Sequence, residues 1–231
     1  MLRVAMTRFD LPGFHTSSPD GSVNGLEADV AREIARALDV KAVLKADYGS
    51  FDAVAEAVAS GQADIGISKL SQTYYRVKHV LFSEPYVTLR HALLYDRIAV
   101  AEAAHGGSPE DALRNFRGRI AVIGKSAYED FGRRNFPGAQ ILVMSSWDEA
   151  IRAVKEGRAD VAYRDEFEVR RVLRKSPAMN VRVGAAIITD QEAFLSIAIC
   201  DSCAKLQQFI NYHLREYPRL LTVNELIRLA D

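Results

Sequence analysis

The sequence predicts an α/β protein built from two α/β lobes joined by two crossing strands. Strand-like and helix-like segments alternate along the chain, a pattern that favours mainly parallel sheets. In addition, one junction occurs twice, at 58–64 and at 154–160, with the same order of helix end, glycine, short turn, aspartate and apolar strand. One such junction is a routine helix-to-strand connection, but two in matching places predict two lobes of similar plan.

The first lobe is expected to begin with a strand at 2–6, followed by a helix whose apolar residues recur one turn apart. The next strand covers 40–44, and a second helix is expected to stop at Gly61, because glycine is the usual residue past a helix end. A third strand covers 65–67. The apolar helical positions are Leu26, Val30, Ile34 and Leu38, and then Phe51, Val54, Ala55 and Val58.

The second lobe repeats this order of elements. Its predicted strands and helices are 120–123, 127–134, 141–144, 147–156 and 161–163.

Two extended apolar runs, 92–96 and 193–199, are predicted to be the strands that cross between the lobes. With these crossings, lobe 1 consists of 1–94 and 193–231, and lobe 2 consists of 95–192. Two crossing strands make a hinge, so we expect the ligand-binding cleft to lie between the lobes.

The charge balance excludes several classes of partner. Lys and Arg number 30, as do Asp and Glu, and no basic stripe is present, so neither a nucleic-acid nor a membrane-surface partner is expected. No window approaches the length of apolar residues that a transmembrane helix needs. The chain enters a strand directly after Met1, without a signal peptide, so we expect a cytoplasmic protein, a trimmed chain or an excised domain.

Two cysteines, Cys200 and Cys203, stand in a Cys-Asp-Ser-Cys motif. This spacing fits a redox pair or half of a metal site, but a zinc site needs two further ligands that the sequence does not offer at metal spacing. We therefore expect two structural or incidental thiols, no metal and no cofactor. Asp201 or Ser202 is expected to cap the helix that begins near 204.

The most informative motif follows the apolar run at 63–67. Ser71, Thr73 and Arg76 supply two hydroxyls and a guanidinium in the pattern Ser-x-Thr-x-x-Arg. Hydroxyl and backbone donors at the start of a helical turn favour an anion, and an arginine can hold a carboxylate through two parallel hydrogen bonds. The motif predicts a carboxylate site; the alternative is an ordinary helix cap with a surface arginine.

Segments 23–30, 51–64, 82–86 and 160–165, together with the Ser-x-Thr-x-x-Arg motif, carry a family resemblance over nearly the whole chain. The chain resembles the bacterial extracellular solute-binding proteins of family 3, the amino-acid-binding branch of the type II periplasmic binding protein fold. The resemblance therefore implies two lobes that close on an amino acid.

The resemblance also implies roles for individual residues. Arg76 matches the arginine that binds the ligand's α-carboxylate, and Ser71 and Thr73 match the donors beside it. Asp165 matches the lobe 2 carboxylate that accepts the α-ammonium, although it could instead be a strand-end cap. Ser126 lies where the family has a turn that completes carboxylate binding.

Further positions bear on the cleft and on specificity. Phe14 and Phe51 match cleft-lining aromatic residues, with plain core packing as the alternative. Relatives for aspartate and glutamate resemble this chain in carrying an arginine at the position of Arg8, so we expect an acidic amino acid or similar dicarboxylate. The alternatives for Arg8 are a surface arginine or an ion pair within the lobe, and Arg90 is a further candidate cation. Lys125 departs from the family pattern and is expected to face solvent.

These expectations define the functional hypotheses. The resemblance implies a periplasmic or extracellular, monomeric protein that captures an amino acid and passes it to a membrane transporter permease, or acts as a module of a larger receptor. The alternative is an enzyme, because cyclohexadienyl (prephenate/arogenate) dehydratases resemble the same family. Such an enzyme needs a proton donor, for which Glu166 and His91 are the candidates.

Overall fold

The computed structural model describes residues 1–218 and 221–230 of the chain. It divides into two compact units: unit 1 is Met1–Thr88 with Phe194–Asp231, and unit 2 is Leu89–Ala193. Each unit contains a five-stranded sheet with helices packed against it, which confirms the predicted two-part α/β architecture.

Unit 1 has a sheet in the order β4-β1-β5-β12-β6. Strand β1 runs parallel to β4 and β5, whereas β12 is antiparallel to both of its neighbours. Strands β2 and β3 form a separate two-stranded sheet. The strands are β1 (Leu2–Thr7), β2 (Thr16–Ser17), β3 (Val23–Asn24), β4 (Ala42–Tyr48), β5 (Ile65–Gly66), β6 (Val80–Phe82) and β12 (Ala198–Cys200), and the helices are α1 (Leu26–Ala37), α2 (Phe51–Ala59), α3 (Tyr74–Val77), α9 (Ala204–Glu216) and α10 (Val223–Ala230).

Unit 2 has a sheet in the order β11-β7-β10-β8-β9. Strand β10 pairs antiparallel with β7 and parallel with β8, which is also parallel to β9. Apolar clusters pack on the sheet, and the single tryptophan, Trp147, belongs to one of them. The strands are β7 (Val87–Asp96), β8 (Arg119–Ile123), β9 (Gln140–Met144), β10 (Val161–Asp165) and β11 (Val183–Leu195), and the helices are α4 (Arg97–Ala104), α5 (Pro109–Arg114), α6 (Ala127–Asn135), α7 (Trp147–Lys155) and α8 (Glu166–Lys175), followed by a 3₁₀ turn at Pro177–Val181.

The repeated junction makes the same glycine turn and the same arginine–aspartate contacts in both units, which is why the two units are built alike. Gly61 and Gly157 end α2 and α7 with φ of 73° and 71°, in the left-handed region that favours glycine. The aspartate three residues after each glycine accepts a backbone hydrogen bond from an arginine at the start of a strand of the same unit, β1 or β8: Arg3 N to Asp64 Oδ2 and Arg119 N to Asp160 Oδ2, both at 2.7 Å. Each arginine also binds the same carboxylate through its guanidinium.

Two strand predictions need correction. The strand expected at 40–44 begins at Ala42, because the amide of Val40 donates to Ala35 O at 3.0 Å and so belongs to the cap at the end of α1. The run at 193–199 is not one strand. It breaks after Leu195 because the amides of Ser196 and Ile197 leave the ladder and donate to Leu70 O at 2.8 Å and Ser83 Oγ at 2.9 Å.

The expectation of two thiols is wrong, because Cys200 and Cys203 form a disulfide with their Cα atoms 5.2 Å apart. Cys203 itself occupies the N-cap position of α9, so neither Asp201 nor Ser202 caps that helix. Within residues 1–218 and 221–230, no helix combines the length and apolarity needed to cross a membrane. The same residues contain no cluster of three His, Cys, Asp or Glu side chains suited to a metal ion.

Candidate functional site

The Ser-x-Thr-x-x-Arg motif lies in unit 1, in the loop after β5 and in the short helix α3. Thr73 is the N-cap of α3, and its Oγ1 accepts a hydrogen bond from the amide of Arg76 at 3.2 Å. The helix-cap interpretation is therefore correct for Thr73. The surface-arginine interpretation is wrong, because Arg76 is only 1% exposed.

The guanidinium of Arg76 is held by groups of its own unit. Its Nε donates to Asp52 Oδ1 at 2.9 Å, its Nη2 lies 2.8 Å from the same oxygen, and its Nη1 donates to Ser71 O at 2.8 Å. Asp52 lies in the first turn of α2, where Ser50 caps the helix. Sequence reasoning missed Asp52, whose only signal was its position next to Phe51. A ligand carboxylate at Arg76 has to share or displace this protein carboxylate.

Both predicted cleft-lining phenylalanines are buried in unit 1. Phe14 is completely buried, and the Nζ atom of Lys69 lies over its ring, 4.6 Å from the centroid. Phe51 is buried as well, with the ring of Phe9 packed edge-on at 5.4 Å between centroids. Lys69 is the residue that the sequence analysis missed here, although it lies only two positions before Ser71.

The backbone of Lys69 is fixed by a buried polar network around Glu27. This carboxylate is completely buried and accepts hydrogen bonds from the amide of Lys69 at 2.6 Å and from the hydroxyl of Tyr86. His15 Nδ1 lies 2.7 Å from its second oxygen. Burial lowers the pKa of His15, but its bond to Glu27 and the charge of Glu27 raise it, and the net shift is upward. The network joins α1 to the segment before β2, to the loop after β5 and to the segment before β7.

Arg8 is exposed at the end of β1. Its guanidinium lies against the backbone of Gly49, where an added Cβ would meet Arg8 Cζ at 3.6 Å. No acidic side chain in the described part of the chain forms an ion pair with it. This geometry fits the surface-arginine interpretation and not the ion pair within the lobe.

The unit 2 residues lie at the carboxyl end of β10. Asp165 is 2% exposed and caps α8, since its Oδ1 accepts the amide of Glu168 at 3.0 Å. Its Oδ2 lies 3.7 Å from Nε of the equally buried Arg164. The guanidinium of Arg164 also lies over the Tyr128 ring, 5.5 Å from its centroid. Asp165 therefore does act as a cap, through one of its two carboxylate oxygens, and Arg164, which sequence reasoning missed, balances its charge.

Ser126 occupies the N-cap position of α6, but its side chain makes no capping hydrogen bond. Its hydroxyl donates to Ile123 O at 2.6 Å, so it has to rotate before it can donate to a ligand. The neighbouring Lys125 is exposed, as expected, and its amide donates to Glu129 Oε2 at 3.0 Å.

The two candidate proton donors of the enzyme hypothesis lie in unit 2. His91 is buried, its Nδ1 is hydrogen-bonded to the Tyr163 hydroxyl, and burial lowers its pKa to about 4. Glu166 accepts the amide of Arg90 at 3.2 Å and pairs with Arg170 at 3.3 Å. Neutral, enclosed His91 is a poor proton donor at neutral pH.

Comparison with known proteins finds similarity to one family in the first part of the chain. Residues 2–101 match the family model for bacterial extracellular solute-binding proteins, family 3, which confirms the resemblance drawn from the sequence motifs over this part of the chain. The Probable amino-acid ABC transporter periplasmic-binding protein y4tE of Sinorhizobium fredii (strain NBRC 101917 / NGR234) is 26% identical over 153 residues, 65% of this chain and 49% of that protein. The arginine-binding periplasmic protein of Mannheimia haemolytica is 22% identical over 169 residues, 73% of this chain and 65% of that protein. The match thus spans between about half and two thirds of these curated relatives.

Solved structures establish the fold. An ancestral arginine-binding protein bound to arginine superposes with a TM-score of 0.73 at 24% identity, covering 99% of this chain and 97% of that one. The ancestral amino acid-binding protein AncCDT-1, a precursor of cyclohexadienyl dehydratase, gives a TM-score of 0.72 at 24% identity and covers 99% and 94%. The fold is therefore that of the type II periplasmic amino-acid-binding proteins.

Proposed function

We propose that this chain is an extracytoplasmic solute-binding module that captures a small amino acid. Its α-carboxylate binds Arg76 with Ser71 and Thr73, and its α-ammonium binds Asp165. The observation that carries the proposal is the buried, oriented guanidinium of Arg76 directly after β5. A ligand that contacts both units favours their closed arrangement, which is the differential affinity that a ligand-driven closure requires.

We further propose that the amino acid is acidic. In unit 1, Asp52 balances Arg76, which leaves the exposed Arg8 as an added positive charge. In unit 2, Arg164 balances Asp165. The positive charge of Arg8 supports glutamate or aspartate over lysine or arginine, because a like charge at a binding site costs affinity. The relatives that bind arginine do not decide the ligand of this chain at 22–24% identity.

The family resemblance also supports a proposal for the location and the partner of this protein. The module acts in the periplasm or outside the cell as a monomer and delivers its ligand to the permease of an ABC transporter, or reports it as a part of a larger receptor. The names of curated relatives support the transporter over the receptor. Binding is favoured over dehydratase activity because His91 is enclosed and neutral and Glu166 is paired with Arg170. Phenylpyruvate formation from prephenate above background would reverse this preference.

A thermal-shift screen against amino acids tests the proposal. With a micromolar dissociation constant and ligand at about 100 times that value, native-state binding adds about 2.7 kcal/mol, or roughly 5–10 °C in Tm. We expect glutamate or aspartate to give this shift and Arg76→Ala to abolish it. Lys78→Ala is the matched control, because Lys78 is an exposed cation two residues away. An unchanged shift in Arg76→Ala would contradict the proposed site.

A further inference from the structure

The Cys200–Cys203 disulfide lies where β12 ends and α9 begins. The two cysteines are three positions apart and are the only cysteines of the chain. Both are half-buried, and Asp201 and Ser202 between them are exposed. The disulfide therefore lies at the surface of unit 1 and not in its core.

A crosslink over so few residues contributes little to the fold, because the stabilisation that a disulfide gives to a protein falls with the length of the loop that it closes. Other bonds already hold this segment. Cys200 pairs with Val80 in the sheet, and the amide of Cys203 donates to Cys200 O at 3.0 Å. One turn into α9, Gln207 Nε2 donates to Phe82 O at 2.6 Å. The backbone can keep this arrangement when the disulfide is reduced.

The first turn of α9 offers a place for a thiolate. Cys203 is the N-cap residue of this 13-residue helix, and no side chain makes a capping hydrogen bond there. The amides of 204–206 donate no hydrogen bond within the described part of the chain, and the turn contains no acidic residue. Unpaired amides at the positive end of a helix stabilise a cysteine thiolate. The exposed charges of Asp201 and Lys205 on either side of Cys203 offset each other.

A disulfide becomes easier to reduce when its dithiol form is stabilised, and the sulfur that is the better thiolate is also the better leaving group. Both effects apply to Cys203. A bond that holds little of the fold together, lies at the surface and gives a stabilised thiolate on reduction is suited to chemistry more than to crosslinking.

We propose that Cys200–Cys203 is a thiol–disulfide exchange site that accepts electrons from a dithiol, a function beyond amino-acid binding. A thiolate of the dithiol attacks Cys200 Sγ, the bond between the two cysteine sulfurs breaks, and its electron pair goes to Cys203 Sγ at the start of α9. The second thiolate of the dithiol then attacks the first sulfur of the same dithiol and displaces Cys200. The dithiol becomes a disulfide, the two cysteines gain two electrons, and the two protons go to Cys200 and to solvent.

Redox titration of the unmodified chain in glutathione buffers tests the proposal, with two glutathione molecules supplying the two thiols. Free thiols are blocked with iodoacetamide and counted by mass spectrometry. We expect the equilibrium to lie about 100-fold or more further toward the dithiol than for a structural disulfide. The circular dichroism of the dithiol form should match that of the disulfide form. A pair that stays oxidised in excess reduced glutathione, or a chain that unfolds on reduction, would overturn the proposal.

Two variants with the same change in charge test the contribution of the helix N-terminus. Ala204→Glu places a negative charge beside Cys203 and should shift the equilibrium roughly 2- to 5-fold toward the disulfide. The matched control Gln208→Glu lies at an exposed position beyond the first turn and should behave like the wild type. Equal shifts in both variants would overturn the stabilised thiolate at Cys203. All titrations are made without an amino acid, so failure of the thermal-shift screen would leave this proposal standing.

Discussion

His91 gives the protein a specific sensitivity to acid. The imidazole is 3% exposed and is surrounded by the rings of Tyr128, Phe131 and Tyr163, with centroids 4.9–5.5 Å away. Its Nδ1 is hydrogen-bonded to the Tyr163 hydroxyl, and the backbone of Glu192 offers its ring only a weaker contact that opposes the fall in pKa. Protonation would place a charge in this aromatic enclosure, so we expect it to destabilise unit 2.

The size of the effect follows from the shift in pKa. Burial lowers the pKa of His91 from 6.5 to about 4, the charge of Asp165 opposes this, and the charge of Arg134 adds to it. Because the folded pKa lies below the unfolded value, the unfolded chain takes up the proton first as the pH falls. The stability contributed by neutral His91 is complete above pH 6.5 and is lost as the pH falls to about 4. At about 1.4 kcal/mol per pKa unit, the total loss is about 3 kcal/mol.

The variant His91→Gln isolates the loss of stability caused by protonation of His91, because glutamine does not titrate and can still hydrogen-bond to Tyr163. Urea unfolding followed by fluorescence gives the free energy of unfolding at about pH 7 and about pH 4.5, and the single tryptophan, Trp147, reports on unit 2, where His91 lies. We expect the wild type to lose about 2–3 kcal/mol more than His91→Gln over this range.

The control is His105→Gln, since His105 is exposed in the same unit and should behave like the wild type. The carboxylates that also titrate in this range are common to all three proteins and cancel in the comparison. Equal losses of stability in the wild type and in His91→Gln would refute the reasoning.

Two further predictions concern stability in unit 1. Glu27→Ala removes the acceptor for three buried donors and should lower the free energy of unfolding by about 3–5 kcal/mol in urea titrations. The control Asp29→Ala, at an exposed position of the same helix, should lower it by less than about 1 kcal/mol. Similar losses of stability in both variants would contradict the role of the network. Reduction of Cys200–Cys203, which closes a very short loop, should lower stability by only about 2 kcal/mol, measured as the change in Tm with reductant, and unfolding upon reduction would contradict this.

The elements of the fold were predictable where the signal is local. Apolar spacing one turn apart located α1 and α2, and the repeated glycine-to-aspartate junction predicted units of similar plan. The start of β4 was mispredicted because a hydrogen bond from Val40 to Ala35 ends α1, and β-propensity alone does not reveal which amides a helix cap uses.

The site was predictable to a lesser degree, because its electrostatics depend on residues brought together by folding. The motif identified Arg76, but its partner Asp52 lies 24 positions away and looked like an ordinary residue of a helix's first turn. Arg164 precedes Asp165, yet alternation along a strand places neighbouring side chains on opposite faces, so their pairing was not expected. Only the structure brings the ammonium of Lys69 to the ring of Phe14.

The ion pair found in each unit bears on which residues can determine ligand specificity. An unpaired charge buried as deeply as Arg76 or Asp165 would cost several kcal/mol, so each unit supplies its own counter-ion, Asp52 or Arg164. A zwitterion that binds these groups exchanges one set of ion pairs for another, so these pairs do not distinguish one amino acid from the next. Discrimination between amino acids must come from groups that contact the ligand side chain, because every amino acid presents the same α-carboxylate and α-ammonium.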